Sequence, residues 1–438
     1  MNKLIKKLPI IKKVFNKVDD LKTEIASLKK EMAIISKERI DLRLALKKIN
    51  GEKVNIVFVC MRPAIWGSLK TVYEAFKADP AFCVKIVAIP NKNKIKGLEY
   101  NHDIYESEGA EDFFKSENCI NGYDYDKKTW IDLRTLEPDY VFIQQPYNIC
   151  RSEGYKSDEI VKYAKLCYVP YYGTYSIDDI LSEVNPLDFV NDVSFYFSEN
   201  KSEYEFLSGL VKDNGLTEVC LTGFPRFDLI RNKSVHDKTG CGRFKILWTP
   251  RWTTNEGNCG FFIFKDLLLK FCDENFDFEL IFRPHPQMAK ELMSTGEFSD
   301  KQWDGYIKEY ENRENASIDK SQDYMPIIYS SDVLFTDKST MLVDFLPTGK
   351  PIIFYDKNSD NIPLFDDVKK GLYCIKDFKQ FKSVLYRLKN GEDPLKETRE
   401  KILKEVLCVG NGDNGIKVKE IIKSDALKTV VDFNKENK

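Results

Sequence analysis

An arginine and a histidine stand beside two prolines in the segment Phe278–Gln287, FELIFRPHPQ. Its apolar first part predicts a buried strand that ends at Pro284, so that Arg283 and His285 lie at the carboxyl end of the strand. Ligands of open α/β sheets bind at that end, and a guanidinium fork beside an imidazole suits an anion, most of all a phosphate. The alternative is a surface turn whose Arg and His only cap a neighbouring helix.

A second polar turn, TDKST at Thr336–Thr340, lies between an apolar strand and a helix. Ser339 and Thr340 would stand at the helix start, where hydroxyl and backbone N–H groups bind phosphate. An ordinary N-cap is the alternative, because Ser and Thr are favoured there in any case. Arg251 follows a further strand within Lys245–Thr253. Together the three segments predict one shared anion site at the carboxyl ends of strands in one sheet.

Strands and helices alternate along the chain from Val54 onward, which predicts parallel sheets with right-handed crossovers. The pattern restarts after the polar stretch Asn232–Gly242, so we expect an α/β, GT-B-like fold with two Rossmann-like, doubly wound domains facing a cleft. The predicted units are a basic segment and coiled coil (1–50), an acceptor domain (51–230), a nucleotide-donor domain (231–395) and C-terminal helices packing back across the junction (396–438).

The first fifty residues differ from the rest of the chain. Residues 1–18 mix apolar side chains with lysines, which suits the surface of an anionic membrane or, alternatively, the solvated start of a helix interrupted at Pro9. Apolar residues then recur with a 4-3 spacing that only Arg39 breaks, at Val14, Val18, Leu21, Ile25, Leu28, Met32, Ile35, Leu42 and Leu46. This heptad pattern predicts a coiled coil that joins subunits, although a helix packed on its own domain is the alternative.

Bulk composition excludes several classes of protein. A net charge of −2 over 438 residues gives no argument for nucleic-acid binding, and no apolar run is long enough to span a membrane. Eleven cysteines without a Cys-x-x-Cys pair, and no cleavable signal, indicate reduced thiols in the cytoplasm. Only three histidines are present, which argues against a zinc cluster. No carboxylate cluster of the DxD kind accompanies the phosphate-site candidates, and we expect no metal and no cofactor.

Four motifs in order, GFPRFD, ILWTPRW, LIFRPHP and DVLFTDKSTMLVDFLPTGKPIIFY, resemble the CDP-glycerol glycerophosphotransferase family, which builds teichoic acids and related capsule polymers. The resemblance spans roughly residues 220–355 and implies a GT-B-type enzyme that binds a CDP-linked polyol on its C-terminal domain. Arg283 and His285 would contact the donor pyrophosphate, and Asp337 would shape the TDKST turn. Asp344 could hold a sugar or ribityl hydroxyl, or could simply be solvated.

The chain departs from the family in its N-terminal half, where members carry a His-Gly motif whose histidine is a candidate base. The matching stretch here is YVPYYGTYS, with Tyr172 at that position. Because a tyrosine with a pKa near 10 is a poor base at neutral pH, either another group such as Asp178 or Asp179 takes the role or the chemistry differs. The predicted catalytic residues are His285, Arg283 and Asp178. Donor-binding residues are Arg251, Pro250, Asp337, Lys338, Ser339, Thr340, Asp344, Gly223 and Arg226, and those of the acceptor side are Tyr172, Gly173, Arg62 and Trp66.

The predicted function is transfer of a polyol phosphate from a CDP-activated donor to a hydroxyl of a cell-surface glycan or teichoic-acid-like precursor, with release of CMP. The predicted partners are that nucleotide-activated donor, a glycan or lipid-linked glycan acceptor, the inner face of the bacterial membrane and a second copy of the chain. One alternative is a GT-B glycosyltransferase that uses a CMP- or other nucleotide-linked sugar. Another is a catalytically silent scaffold of a polymer-synthesis complex, which the missing histidine favours.

Overall fold

Two parallel β-sheets follow one another along the chain in the computed structural model. We describe residues 9–92, 95, 98–171, 187–231, 242–255, 259–321, 324–337, 339, 341–356 and 366–427. The strands are β1 (Val54–Cys60), β2 (Phe82–Ala88), β3 (Ile120–Asn121), β4 (Tyr123–Asp124), β5 (Thr129–Trp130), β6 (Tyr140–Ile143), β7 (Lys165–Tyr168), β8 (Phe195–Ser198), β9 (Glu218–Leu221), β10 (Phe244–Thr249), β11 (Phe278–Phe282), β12 (Ala316–Ile318), β13 (Val333–Thr336), β14 (Ile352–Tyr355) and β15 (Tyr373–Ile375).

The helices cover the faces of these sheets and connect the strands. They are α1 (Pro9–Asn50), α2 (Gly67–Lys77), α3 (Ala110–Phe113), α4 (Ser157–Ile160), α5 (Leu187–Asp192), α6 (Lys201–Val211), α7 (Asp228–Arg231), α8 (Phe261–Glu274), α9 (Met288–Ser294), α10 (Asp300–Glu311), α11 (Met325–Ser330), α12 (Met341–Phe345), α13 (Asp366–Lys369), α14 (Phe378–Lys389), α15 (Lys396–Glu405) and α16 (Asn414–Leu427). Short 3-10 turns lie at Pro63–Ile65, Lys115–Glu117, Leu133–Leu136, Asn148–Cys150, Glu153–Tyr155, Pro225–Phe227 and Leu346–Thr348.

The first sheet has the strand order β3-β2-β1-β6-β7-β8-β9, and its paired strands are parallel. Strands such as VNIVFVC are apolar except for the half-buried Asn55, because helices bury both faces of a parallel sheet. The order reverses between the neighbouring strands β1 and β6, because the chain proceeds from β1 toward one edge of the sheet and from β6 toward the other. The carboxyl ends of these two strands therefore flank the crevice where open α/β sheets bind ligands.

The second sheet has the order β12-β11-β10-β13-β14-β15, again parallel, which is the doubly wound arrangement of nucleotide-binding folds. Its order reverses between β10 and β13. Aromatic side chains of α8, α10 and the strands fill the core on one face, with Trp248, Phe261 and Phe282 buried together. The predicted α/β, GT-B-like fold is confirmed, whereas the domain limits given above stay predictions.

Helix α1 begins at Pro9, a position where proline fits the first turn because its missing N–H is not needed there. Near its end, Ile40 and Leu44 are buried in the core of the first sheet. The apolar seam is exposed: Val18 41%, Leu21 47%, Ile25 52%, Leu28 53%, Met32 62%, Ile35 63%, Leu42 59% and Leu46 59%. The coiled coil stays a prediction. None of the described helices is long and apolar enough to cross a bilayer.

The C-terminal helices contact both halves of the molecule. Residues of α15 are buried beside the second sheet, while Val418 and Ile422 of α16 are buried in the core of the first. Lys165, at the start of β7, forms ion pairs with Asp41 of α1 at 2.5 Å and with Asp425 of α16 at 2.6 Å. Its side chain is only 6% exposed, so this buried cation joins both terminal helices to the first sheet.

Candidate functional site

The crevice of the second sheet is formed by the loops that follow β10 and β13. Thr249 pairs with Thr336 at the ends of these strands, and their hydroxyl oxygens lie 3.0 Å apart. The carboxylate of Asp337 accepts the N–H groups of Arg251 at 2.5 Å and of Gly260 at 2.8 Å. Asp337 therefore fixes both ends of the loop that carries Arg251.

Asp337 is 2% exposed. Burial raises the pKa of its carboxyl to about 7, although the two N–H donors and the cation of Arg251 act in the opposite direction. Both carboxylate oxygens bind backbone groups, which is how a buried acid is normally accommodated. The side chain thus shapes the loop.

Arg251, Trp252 and His285 form a stack beside this crevice. The guanidinium of Arg251 lies 5.6 Å from the centre of the Trp252 ring, and the rings of Trp252 and His285 lie 5.7 Å apart at 29°. His285 Nδ1 accepts the N–H of Gln287 at 3.2 Å, which leaves the ring proton of a neutral imidazole on Nε2. Partial burial, and then the charge of Arg251, lower the pKa of His285. The exposed ring therefore offers an N–H donor to a ligand at neutral pH.

Arg283 leaves β11 one strand away from Arg251. Its Nη1 atom pairs with Asp319, and both Nη atoms donate to the backbone carbonyl of Ser321 at 3.1 Å. The ring of Tyr324 lies 4.8 Å from the guanidinium carbon. Among the described residues, Nε–H and the second Nη2–H have no partner. These two groups point the same way in a guanidinium, so Arg283 retains one edge for a bidentate oxyanion.

Arg226 and Asp344 form a second ion pair, at 2.7 Å between Nε and Oδ1. The hydroxyl of Tyr324 donates to Asp344 at 2.6 Å, and Arg226 also contacts that hydroxyl. We expected Asp344 to hold a sugar hydroxyl or to be solvated. Instead its side chain is 10% exposed and binds protein groups, because the GFPRFD segment packs directly over α12. We therefore remove Asp344 from the proposed ligand contacts.

Gly223 and Asp228 of the GFPRFD segment contact the chain that leads into α16. Gly223 has φ +79°, and a Cβ there would lie 2.5 Å from the carbonyl oxygen of Cys408. Asp228 accepts the N–H groups of Asn414 at 3.1 Å and Gly415 at 2.7 Å, so it caps α16. The structure gives Gly223 a packing role, and we no longer propose it as a donor contact.

The TDKST turn is described only in part, because Lys338 and Thr340 lie outside the described residues. The N–H of Ser339 donates to the carbonyl of Asp337 at 2.7 Å, and its hydroxyl accepts the N–H of Met341 at 3.4 Å. Helix α12, which follows, has five residues. Ser339 thus caps a short helix, and its role toward phosphate stays a prediction.

On the first sheet, the predicted acceptor residues separate into two environments. Arg62 follows β1 at the crevice and pairs with Glu108 at 2.6 Å. Trp66 is 7% exposed and packs against Phe58 and Phe114 in the core. The start of α2 turns this ring inward, so we remove Trp66 from the proposed acceptor contacts. Tyr172, Gly173, Asp178 and Asp179 lie outside the described residues.

The comparisons with known proteins agree with this arrangement. Residues 196–386 match the family model of CDP-glycerol:poly(glycerophosphate) glycerophosphotransferase. The match covers less than half of the chain. The match runs from β8 into α14 and includes the loops of Arg251, Arg283 and Asp337. The predicted resemblance to this family and the predicted enzyme class, a glycerophosphotransferase-like transferase, are confirmed. None of the curated proteins compared with the chain matches it.

Solved structures share the fold at low sequence identity. A protein named as a UDP-N-acetylglucosamine 2-epimerase of Listeria monocytogenes has a TM-score of 0.58 at 14% identity, over 86% of this chain and 98% of its own. The UDP-GlcNAc 2-epimerase of Neisseria meningitidis, bound to UDP-GlcNAc, gives 0.56 at 13%, over 85% and 100%. A variant of the wall teichoic acid polymerase TagF soaked with CDPG gives 0.55 at 15%, over 90% and 98%. These similarities show the fold.

Several residues of the candidate site were not predicted from the sequence. Asp319 and Tyr324 contact Arg283, yet they lie in a polar connector without a motif. Gln145 follows β6 at the first crevice; it is 5% exposed, and its Oε1 has no hydrogen-bond partner among the described residues. The sequence did contain a pattern that could have indicated Gln145, because two glutamines directly follow an apolar strand. Within the described residues, no three His, Cys, Asp or Glu side chains cluster as a metal site would require.

Proposed function

We propose that the protein transfers glycerol phosphate, or a similar polyol phosphate, from a CDP-activated donor to a hydroxyl of a cell-surface glycan or teichoic-acid-like precursor and releases CMP. One observation carries the proposal. Arg251, His285 and Arg283 stand at the carboxyl ends of neighbouring strands beside the crevice of the second sheet, within the segment that matches the family. A diphosphate needs such a cluster of cationic and neutral N–H donors.

The reaction is a substitution at the phosphorus that carries the polyol. The acceptor oxygen forms a new bond to this phosphorus, while the bond from phosphorus to the oxygen shared with CMP breaks. CMP leaves with the electron pair, and the hydroxyl proton passes to a base. Negative charge gathers on the shared oxygen and on the non-bridging oxygens, so donors aimed at these atoms accelerate the step.

Each described residue has a defined part in this proposal. The Nε and Nη2 edge of Arg283 would bind two oxygens of the diphosphate, and Arg251 would add a second cation. His285 would donate its Nε2–H to the leaving phosphate. Pro250 is buried and directs the loop that carries Arg251. Arg226 would act at a distance, since its own partners are Asp344 and Tyr324.

The acceptor would bind at the crevice of the first sheet. Arg62 and the unpartnered oxygen of Gln145 lie at the ends of β1 and β6, on either side of that crevice. Tyr172 and Gly173 would complete the acceptor side, and Asp178 would be the base. A carboxylate suffices in that role because positioning and charge neutralisation supply most of the acceleration in phosphoryl transfer.

The test is CMP release from CDP-glycerol by the wild type and by Arg283→Ala. Loss of hydrogen bonds to a charged group costs about 1.5–3 kcal/mol, so we expect kcat/KM to fall by roughly 10- to 150-fold. Arg313→Ala is the matched control, because Arg313 also pairs with carboxylates but precedes β12 at the opposite end of the sheet. Unchanged turnover in Arg283→Ala would contradict the proposal.

Tyr172, at the position where the family carries histidine, favours a second candidate, a silent member that organises other enzymes. The two candidates differ in a measurement on the wild type. The enzyme releases CMP from CDP-glycerol in the presence of a polyol-phosphate acceptor, and the scaffold does not. A nucleotide-sugar donor in the same assay, with UDP-GlcNAc as one example, tests the glycosyltransferase alternative.

The exposed seam of α1 supports self-association of two copies through a coiled coil. Its residues follow heptad spacing on the side of the helix away from Ile40 and Leu44. Leu28→Lys should therefore lower the mass measured by light scattering. Ile34→Lys is the control, since Ile34 is 40% exposed on the same helix but off the seam. Equal masses for all three proteins would argue against the coiled coil.

The basic N-terminus supports attachment to the inner face of the cell membrane. Lysines among apolar residues at positions 1–18 suit anionic lipid headgroups. Flotation with vesicles that contain anionic lipid should carry the full chain but not a chain lacking residues 1–18. Equal flotation of the two proteins would exclude this segment as the anchor.

A further inference from the structure

Tyr324 lies between two arginines that come from different parts of the chain. Its ring is 4.8 Å from the guanidinium carbon of Arg283 and 5.9 Å from that of Arg226. Its hydroxyl donates to Asp344 at 2.6 Å, and Asp344 pairs with Arg226 at 2.7 Å. The ring thus faces both arginines, while the hydroxyl binds Asp344 and Arg226.

We propose that Tyr324 is a positioning residue, which holds the guanidinium of Arg283 in the orientation that binds the donor diphosphate and links it to the Arg226–Asp344 pair. The proposal rests on the proposed function, because Arg283 is taken as the diphosphate ligand. Tyr324 itself touches no substrate in this account.

The contacts of Arg283 explain why a positioning residue is needed. Arginine has several rotatable bonds, and a mobile guanidinium loses conformational freedom when it binds an anion. Asp319 and the carbonyl of Ser321 take up three of the Nη hydrogen bonds, while the Tyr324 ring covers one face. With these groups fixed before binding, the Nε and Nη2 edge is already oriented.

The hydroxyl fixes the ring in turn. Asp344 accepts from Tyr324 and pairs with Arg226, and all three side chains are largely buried. Burial raises the pKa of Tyr324, so the hydroxyl remains a donor throughout the pH range of an enzyme assay. Arg226 belongs to the GFPRFD segment, whose Asp228 also caps α16. The ring over Arg283 is therefore anchored to the segment that leads from the first sheet to the second.

A purely structural role for Tyr324 makes a different prediction. Removal of a structural side chain lowers stability, but it leaves donor affinity unchanged in the molecules that remain folded. A positioning role lowers donor affinity, and it does so through Arg283. The affinity for CDP, which carries the diphosphate without the polyol, separates the two roles and needs no turnover.

The experiment measures CDP affinity by calorimetry, and donor KM and kcat with CDP-glycerol, for Tyr324→Leu, Tyr324→Phe, Arg283→Lys and the double variant Tyr324→Leu with Arg283→Lys. Loss of the ring in Tyr324→Leu should weaken CDP binding about tenfold and raise donor KM by a similar factor, with little change in kcat. Tyr324→Phe keeps the ring and should recover most of this loss. In the Arg283→Lys background, Tyr324→Leu should have no further effect.

Equal CDP affinity in Tyr324→Leu and the wild type would overturn the proposal, as would additive effects in the double variant. If Tyr324→Leu does not fold, Tyr324→Phe carries the test in the same cycle, with a loss of about threefold expected from the freed ring and none in the Arg283→Lys background. If the affinity pattern is found but CDP-glycerol is not turned over, only the proposed reaction fails. If turnover is found without the affinity pattern, only the role of Tyr324 fails.

Discussion

Replacement of Asp337 by Asn tests how the loop that carries Arg251 is held. Both carboxylate oxygens of Asp337 accept backbone N–H groups, from Arg251 and from Gly260. Asn keeps one acceptor oxygen and turns its NH₂ group toward the other N–H, so that two donors face each other in a buried place. A buried donor left without an acceptor costs about 1–3 kcal/mol of the free energy of unfolding.

The same substitution removes a buried group that titrates. Burial raises the pKa of Asp337 to about 7, from 3.8 for an ordinary aspartate. Between these values the folded protein keeps a proton that the unfolded chain has lost, so stability falls as the pH rises through this window. From pH 5 to pH 8 the fall amounts to roughly 2–3 kcal/mol, most of it below pH 7. Asp337→Asn lacks this contribution, and its disadvantage relative to the wild type should shrink as the pH rises.

Denaturant unfolding at pH 5, 6, 7 and 8, followed by tryptophan fluorescence, measures this difference directly. Asp304→Asn is the control, since Asp304 is exposed on α10 and the substitution removes the same charge. The difference between the wild type and Asp337→Asn should narrow with pH, while the difference for Asp304→Asn should stay constant. Parallel pH profiles of the wild type and Asp337→Asn would exclude a raised pKa of Asp337 in the folded protein.

Three further predictions follow from other contacts. The pKa of His285, read from imidazole resonances, should lie below 6.5 and should rise in Arg251→Gln; no rise would exclude the charge of Arg251 as a cause. Gly223→Ala should lower the free energy of unfolding by about 1–2 kcal/mol because of φ +79° alone, and by more because its Cβ would contact a carbonyl. An unchanged denaturant midpoint would contradict that contact. Lys165→Met should cost about 3–5 kcal/mol, because two buried carboxylates lose their cation, and a neutral effect would argue against the buried ion pairs.

The sequence was most informative where chain direction and strand ends decide the geometry. Apolar runs predicted the strands, and because parallel strands end at one edge, Arg251, Arg283 and Asp337 were expected to lie close together. The strand order confirms this for β11, β10 and β13. RPHP and its neighbouring motifs were therefore sufficient to find the family.

What the sequence could not provide is the partner of each charge. Arg283 and Arg226 were expected to bind the donor, and nothing in the sequence indicated that Asp319 and Asp344 pair with them in the fold. Such pairs join residues 36 and 118 positions apart, so no local pattern records them. Tyr324 could not be predicted for the same reason, because its partners are distant in the sequence.

Trp66 illustrates a second limit. An aromatic residue just after a strand was expected at the acceptor crevice, whereas the short 3-10 turn before α2 carries its ring into the core. Whether a loop side chain faces the core or the crevice depends on a few backbone angles, which the sequence does not reveal. Burial of a large ring against Phe58 and Phe114 then outweighs exposure to solvent.

Phosphorus NMR of CDP-glycerol mixed with the purified chain and a polyol-phosphate acceptor tests the proposed transfer directly. We expect loss of the diphosphate signals, growth of a CMP signal and a new phosphodiester signal in equal amount, all strongly slowed in Arg283→Ala but not in Arg313→Ala. Persistence of the diphosphate signals with the wild type, or a rate unaffected by Arg283→Ala, would contradict the proposed transfer.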